Sequence, residues 1–307
     1  MLGHALRRLL GALPTLFILV SLTFFMMRAA PGGPFDRERN LPPQIEAAMQ
    51  AEYHLDRPLW RQYLGYLGDL VHGDLGPSFQ YQGYSVAELI GSGAPVSLRL
   101  GAGAIVLALL LGGTLGCAAA LRRDSLLDRG LMAAVMLGLS LPNYVVAPLL
   151  ILLFVIALGW LPAGGWSAHG MADAVLPVVA LALPQVAVIA RLIRGSMIEA
   201  LNQNFIRTAR AKGLPMRLIV WRHALRPALL PVLSYLGPAA AGTVTGSVVI
   251  EQIFGIPGIG RYFVQAALNR DYTLVLGVVL FYGALIILFN FLVDLLYGAL
   301  DPRMRPA

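Results

Sequence analysis

Few residues in this chain are equipped for chemistry, and their positions argue against a catalytic centre. The one lysine, Lys212, stands in Ala-Lys-Gly. A phosphate-binding loop of the Gly-x4-Gly-Lys-Ser/Thr type needs backbone amides to cradle phosphate and a lysine to neutralise it, and Lys212 has no such setting. Gly255-Ile-Pro-Gly-Ile-Gly is glycine-rich, but it follows an apolar segment and carries no lysine, so it reads as a tight turn. The five histidines are scattered and no His-Glu-x-x-His occurs. The single Cys117 lies in an apolar run and excludes an intrachain disulfide. No nucleophile–base pair or carboxylate cluster stands out. Ionisable residues within the apolar segments are equally sparse: Arg99 and Asp294 fall near the ends of such segments, and Glu251 at the outer edge of one.

The cations gather instead in one stretch, 194–227. Phe205–Lys212 has the pattern of a short basic helix, Gly213 suits its C′ position, and Pro215 prevents continuation. A second amphipathic helix is expected over Met216–Arg226, with Arg222 and Arg226 on one face. A short helix between two elbows could dock in a groove of a partner; the same charge could bind anionic lipid headgroups.

The elements that must carry this stretch follow from composition. Of 307 residues, 58% are hydrophobic and 13% charged, with a mean hydropathy of +0.72. Soluble domains are about a quarter charged, so the lipid bilayer is the expected solvent. The net charge of +7 follows the distribution of the arginines and does not call for nucleic acid. Six apolar segments are long enough to span a membrane: Leu9–Met27, Leu100–Leu121, Leu131–Leu158, Ala174–Ile193, Ala228–Ile250 and Thr273–Tyr297. The first is longer than a signal peptide's apolar core and reads as a retained helix. Pro142, Pro148, Pro177, Pro184, Gly237 and Pro238 interrupt spans, which suits contact with other helices or a wet cavity.

With the N-terminus inside, 15 of the 23 basic residues fall on the cytoplasmic side, while the short outside loop Gly159–Ala172 has none. Both termini are therefore expected in the cytoplasm. The chain divides into a first span (1–28), an extracytoplasmic segment (29–96) and a five-span core (97–300) holding the loop 194–227. Within the extracytoplasmic segment, Gln44–Tyr53 and Leu59–Val71 have helical spacing.

The basic loop resembles the cytoplasmic coupling loop of binding-protein-dependent ABC importers. The general pattern there is Glu-Ala-Ala-x3-Gly-x9-Ile-x-Leu-Pro. Aligned on Gly213, this chain keeps Ala209, Gly213 and Leu225, and departs at Arg207, Thr208, His223 and Arg226. The peptide/nickel branch has Thr-Ala-x-Ala-Lys-Gly followed by Arg-His-Ala-Leu, as Thr208–Gly213 and Arg222–Leu225 read here. Met27-Arg-Ala-Ala-Pro-Gly, His72-Gly-Asp-Leu-Gly-Pro-Ser-Phe, Val249-Ile-Glu-Gln-Ile-Phe-Gly-Ile-Pro-Gly-Ile-Gly and the terminal Asp301-Pro-Arg resemble the same branch. Leu41-Pro-Pro and Asn204-Phe-Ile-Arg-Thr-Ala-Arg-Ala-Lys-Gly-Leu-Pro-Met resemble its oligopeptide members more than those for dipeptides or nickel, with a dipeptide, nickel or glutathione substrate as the alternative.

The resemblance implies an all-α, six-span permease of the type I importer fold in a bacterial inner membrane. It implies a second homologous permease, one or two ABC ATPase subunits that hold ATP and magnesium, an extracytoplasmic peptide-binding protein and an oligopeptide substrate. No cofactor is implied on this chain. ATPase contact is expected at Arg207, Thr208, Ala209, Arg210, Ala211, Lys212, Gly213 and Leu214. In that reading Thr208, Ala209 and Gly213 allow close packing, and Arg210 and Lys212 supply charge partners. Thr243, Thr245 and Ser247 are candidates for the translocation pathway, although residues two apart do not share one helix face. A self-sufficient carrier is the competing class.

Overall fold

Ser85 opens the longest helix. Its hydroxyl accepts from the Glu88 amide and the Glu88 carboxylate accepts from the Ser85 amide, a complete capping box. That start puts the helix well ahead of the apolar segment at Leu100, and 36 residues at 1.5 Å each reach about 54 Å. The computed structural model describes residues 2–30, 33, 44, 50–167 and 171–300. Half of the expected helix Gln44–Tyr53 lies outside these, as do Asp301, Arg303 and Arg305.

The helices run α1 (Leu2–Ala29), α2 (Leu59–Val71), α3 (Val86–Leu121), α4 (Leu126–Ser140), α5 (Asn143–Leu150, continued by π-helical turns Ile151–Ala157) and α6 (Ala172–Leu201). Next comes α7 (Asn204–Ala211), then a composite of α8 (Met216–Leu218), π-helical Ile219–Ala224 and α9 (Leu225–Ala228). The chain closes with α10 (Leu230–Ile253), α11 (Ile259–Asn269) and α12 (Tyr272–Leu300). Among the described residues the only β pairing is an isolated bridge between Pro77 and Ser85.

Helices α1, α3, α6, α10 and α12 are each long and apolar enough to cross a membrane. The third expected span is not one straight helix. It is the pair α4 and α5, bent by 103°. Leu141 (φ −90°, ψ 123°) and Pro142 (φ −62°, ψ 141°) are extended there, because the proline ring disfavours a helical conformation in the residue before it and donates no hydrogen bond itself. Pro177 and Pro184, by contrast, leave α6 unbroken over 30 residues. Neighbours enclose more than half of the most apolar stretch of α6, against about a tenth for α1.

Small residues set the packing of the two central helices. Buried positions on α3 recur at Ala104, Ala108, Gly112, Gly116 and Ala120, one ridge spaced by four. Gly112 lies against Val186 and Ile189, Gly116 against Ala190 and Ile193, and Gly103 against Val178. The order of these contacts makes α3 and α6 parallel, with backbones close enough for dispersion contacts that lipid cannot replace. Gly101 meets Val244 of α10, Gly237 of α10 meets Asn290 of α12, and Gly283 of α12 meets Leu16 and Leu19 of α1. These neighbours put the start of α1, the end of α12 and the end of α6 at one end of the bundle.

Candidate functional site

At that end α6 gives way to α7 through the turn Asn202–Gln203. Its apolar residues Ile206 (0% exposed) and Ala209 (5%) face the bundle, within the cluster that holds Ile193, Met197, Ile219 and Ala224. Arg207, Thr208, Arg210, Ala211 and Lys212 are exposed. The helix closes as the glycine signal predicts. Gly213 sits at φ +76°, its amide donates to the Arg210 carbonyl at 2.9 Å, and the Leu214 amide donates to the Ala209 carbonyl at 3.3 Å. That pair of bonds is a Schellman motif, with half-buried Leu214 turned back onto the core.

Pro215 starts the return. Ile219, Val220, Ala224 and Ala228 are buried, while Arg217, Trp221, Arg222 and Arg226 are exposed. The single amphipathic helix expected over Met216–Arg226 carries π-helical turns in its middle, yet Arg222 and Arg226 both remain outside. Among the described residues none of the cations between Arg207 and Arg226 forms an ion pair. The expected contact residues are thus brought together on one helix and its elbow. Ala209 and Leu214 serve that helix's own seating; their inward direction makes them supports for Arg207, Thr208, Arg210, Ala211, Lys212 and Gly213 on the surface.

A neighbouring feature went unread in the sequence. Arg194 of α6 donates from Nε to Oδ1 of Asp128 at 2.6 Å and from Nη2 to Oδ2 at 2.7 Å. Asp128 is buried, and it also accepts from the Asp124 amide at 2.9 Å. Its own amide donates to Ser125, the N-cap of α4. The turn between α3 and α4 is thereby tied to α6 ahead of α7.

At the opposite end, Glu251 lies in the last turn of α10, at the edge of that span as expected, and it is fully buried within the fold. Ser97 and Ser247 donate to its Oε1 at 2.7 and 2.6 Å, and the Gly260 amide donates to Oε2 at 2.8 Å. Ser97 accepts in turn from the Ile259 amide. A methyl group on Gly258 or Gly260 would overlap this carboxylate. The glycine-rich turn therefore cradles an anion, but the anion is the protein's own and it caps α11. The spacing of Glu251 and the glycines seven and nine residues on was the available signal.

The candidate pathway residues part company. Thr243 and Ser247 are buried, Thr243 bonded to the Ala239 carbonyl and Ser247 to Glu251, while Thr245 is half-buried. Among the described residues no cluster of His, Cys, Asp and Glu could hold a metal ion.

Five long apolar helices, a bent sixth pair and a basic elbow at one end define a multi-span membrane protein of the permease class. The family described as binding-protein-dependent transport system inner membrane component matches residues 112–306, and the corresponding N-terminal family matches residues 1–92. The chain belongs to this family. It is 57% identical over 305 residues to the oligopeptide transport system permease protein OppB of Escherichia coli K12, covering 99% of this chain and 100% of that protein. It is 44% identical to the dipeptide transport system permease protein DppB of Bacillus subtilis, covering 99% and 98%. Among solved structures, an inward-facing MetNI methionine ABC transporter chain aligns with a TM-score of 0.57 at 20% identity, over 69% of this chain and 96% of that one. A chain of an amino acid ABC transporter aligns at 0.55 and 20%, over 69% and 94%. These two likenesses establish the shared fold.

Proposed function

We propose that this chain is one permease half of an ATP-driven importer of oligopeptides, inserted with both termini in the cytoplasm. The observation that carries the reading is the seating of α7. A cationic surface stands on a helix fixed by Ile206, Ala209 and the Schellman turn, and it continues through Arg217–Ala228 into α10. Movement of α7 by a docked partner is passed directly to a helix that spans the bundle. The excess of arginines at the α7 end supports placing that end in the cytoplasm.

In this reading separate ATPase subunits hold ATP and magnesium and take α7 into a cleft. Closure of the ATPases moves the elbows, and the spans pivot against a second, related permease to open the opposite mouth. A peptide-binding protein delivers substrate there, and no covalent step occurs on this chain. Identity to OppB over the whole length supports oligopeptides as the cargo. Of the candidate pathway residues, Thr245 keeps the most access to a shared channel.

The deciding experiment is Gly213→Asp in the assembled importer. Gly213 has open space around it, so the change strains only a left-handed turn. Peptide uptake falls while the chain still reaches the membrane at normal abundance. Full ATP-driven uptake by that variant removes the assignment of α7 as the coupling element. Competition of uptake by dipeptides against tetra- and pentapeptides decides the cargo.

A further inference from the structure

At the end of the bundle away from α7, a cavity of about 330 Å³ opens between the end of α1, the inner side of α2, the turn at 75–79 and the start of α12. Arg28 is among the residues that line it. The guanidinium carbon lies 4.5 Å from the centre of the Phe24 ring and 5.1 Å from that of Tyr272, and Nη1 donates to Gln62. Arg28 Nε is buried and has no hydrogen-bond partner among the described residues. The hydroxyl of Tyr66, in the same wall, is buried and also lacks one. Burial pushes the Tyr66 phenol up to about 12, so it stays a donor across the physiological range. Arg57 and Arg61 line the cavity as well, against the carboxylates of Glu52 and Asp69. Two donors without a partner among the described residues, both closed to water as the side chains stand, and an excess of arginine suit an oxyanion that turns them toward the cavity as it enters.

The outer side of α2 says where that oxyanion comes from. The helix has no buried residue, and Trp60, Leu64 and Val71 (85% exposed) form one apolar stripe along it. The Arg61 guanidinium lies 5.1 Å over the Trp60 ring. On α1, Leu22, Phe25 and Met26 are likewise exposed. An arginine-flanked helix with a Trp-Leu face, set beside the end of a spanning helix, has the composition of an element lying in the membrane interface.

We infer that this cavity is a phospholipid site, in which Arg28 and Tyr66 hold the phosphodiester of a lipid from the leaflet away from α7 and its acyl chains run along α1 and α2. The site is built on the first span and α2, so it stands apart from the coupling elbow and from the direction of transport.

The test is phosphorus analysis of the assembled importer, purified and stripped of loosely held lipid, as wild type, Arg28→Met and Tyr66→Phe. Wild type retains about one more phospholipid per permease pair than either variant. Dioctanoyl-phosphatidylglycerol raises its melting midpoint with roughly tenfold higher apparent affinity than that of Tyr66→Phe, the size expected for one hydrogen bond to a charged group. Tyr66→Phe removes only a hydroxyl, so the comparison survives if Arg28→Met fails to assemble. Equal lipid content in wild type and Tyr66→Phe overturns the site. Stabilisation by inorganic phosphate or by a free dipeptide that matches the lipid's overturns the lipid assignment and leaves a small-anion site.

Discussion

Arg194 grips both carboxylate oxygens of Asp128 across 66 residues of sequence. The pair is the one long-range ion pair among the described residues, and its acid is buried. A planar guanidinium suits this task because its fork matches a carboxylate with two parallel bonds. The bond secures the turn between α3 and α4 to α6 just ahead of the helix that faces the ATPases in the proposed importer.

Removing either partner leaves the other unanswered, so Arg194→Ala and Asp128→Ala each destabilise the chain by about 1.5–3 kcal/mol, the range for hydrogen bonds to charged groups. The double variant costs little more than either single one. Thermal melting of the three purified variants gives the coupling, expected at about 1–3 kcal/mol. Strictly additive losses mean that the pair is incidental.

Glu251 leads to a ranking. Glu251→Ala strands the donors of Ser97, Ser247 and Gly260, and Gly258→Ala drives a methyl into the carboxylate's place. Both lower membrane abundance severely. Glu251→Gln keeps the shape, and the two hydroxyls can rotate to accept from its amide, so its loss is small. Immunoblots of membranes score the order, and a Gln variant as depleted as the Ala variant shows that charge, not hydrogen bonding, holds α11.

These features mark what a single sequence discloses. The end of α7 was readable because a Schellman turn is a local event: Gly213 must take a positive φ, and Pro215 follows at once. The spans were readable because apolar length is itself the signal. Pro142 was visible as an interruption, but its 103° consequence was not, since Pro177 and Pro184 sit within an unbroken helix held on more sides. Arg194 counted only as one more cation, because nothing local points from it to Asp128. The position of Glu251 at the edge of its span was readable, but its burial was not, because Ser97 of α3 and Gly260 of α11 reach it only through folding. Thr243 and Ser247 are pathway candidates from residue type alone, and the bonds of their hydroxyls to the Ala239 carbonyl and to Glu251 could not be read from the sequence.

The ridge between α3 and α6 separates two neighbouring glycines. A side chain on Gly116 would meet the Ala190 carbonyl and Ile193, while Gly113 has open space. Gly116→Leu therefore forces the two central helices apart, lowering the melting midpoint and the yield of folded chain. Gly113→Ala leaves both unchanged or slightly raised, since alanine favours helix over glycine by about 1 kcal/mol. Comparable losses at both positions refute the close contact as the cause.

Finally, α7 has two faces that can be broken independently. Ile206 anchors it to its own bundle with no exposed surface; Ile206→Ala opens a cavity and costs about 2–5 kcal/mol, so melting falls together with uptake. Arg207→Glu and Arg210→Glu change only exposed side chains without ion-pair partners among the described residues. Surface changes of this kind shift stability by at most about 0.5 kcal/mol, so melting of the chain stays put. Recovery of ATPase subunits with the tagged permease drops at least severalfold, because opposed charge now faces the partner. Undiminished recovery with both substitutions together places the ATPase contact elsewhere and leaves the basic elbow to lipid headgroups. A fall in melting that matches the fall in recovery shows that these arginines support the fold itself.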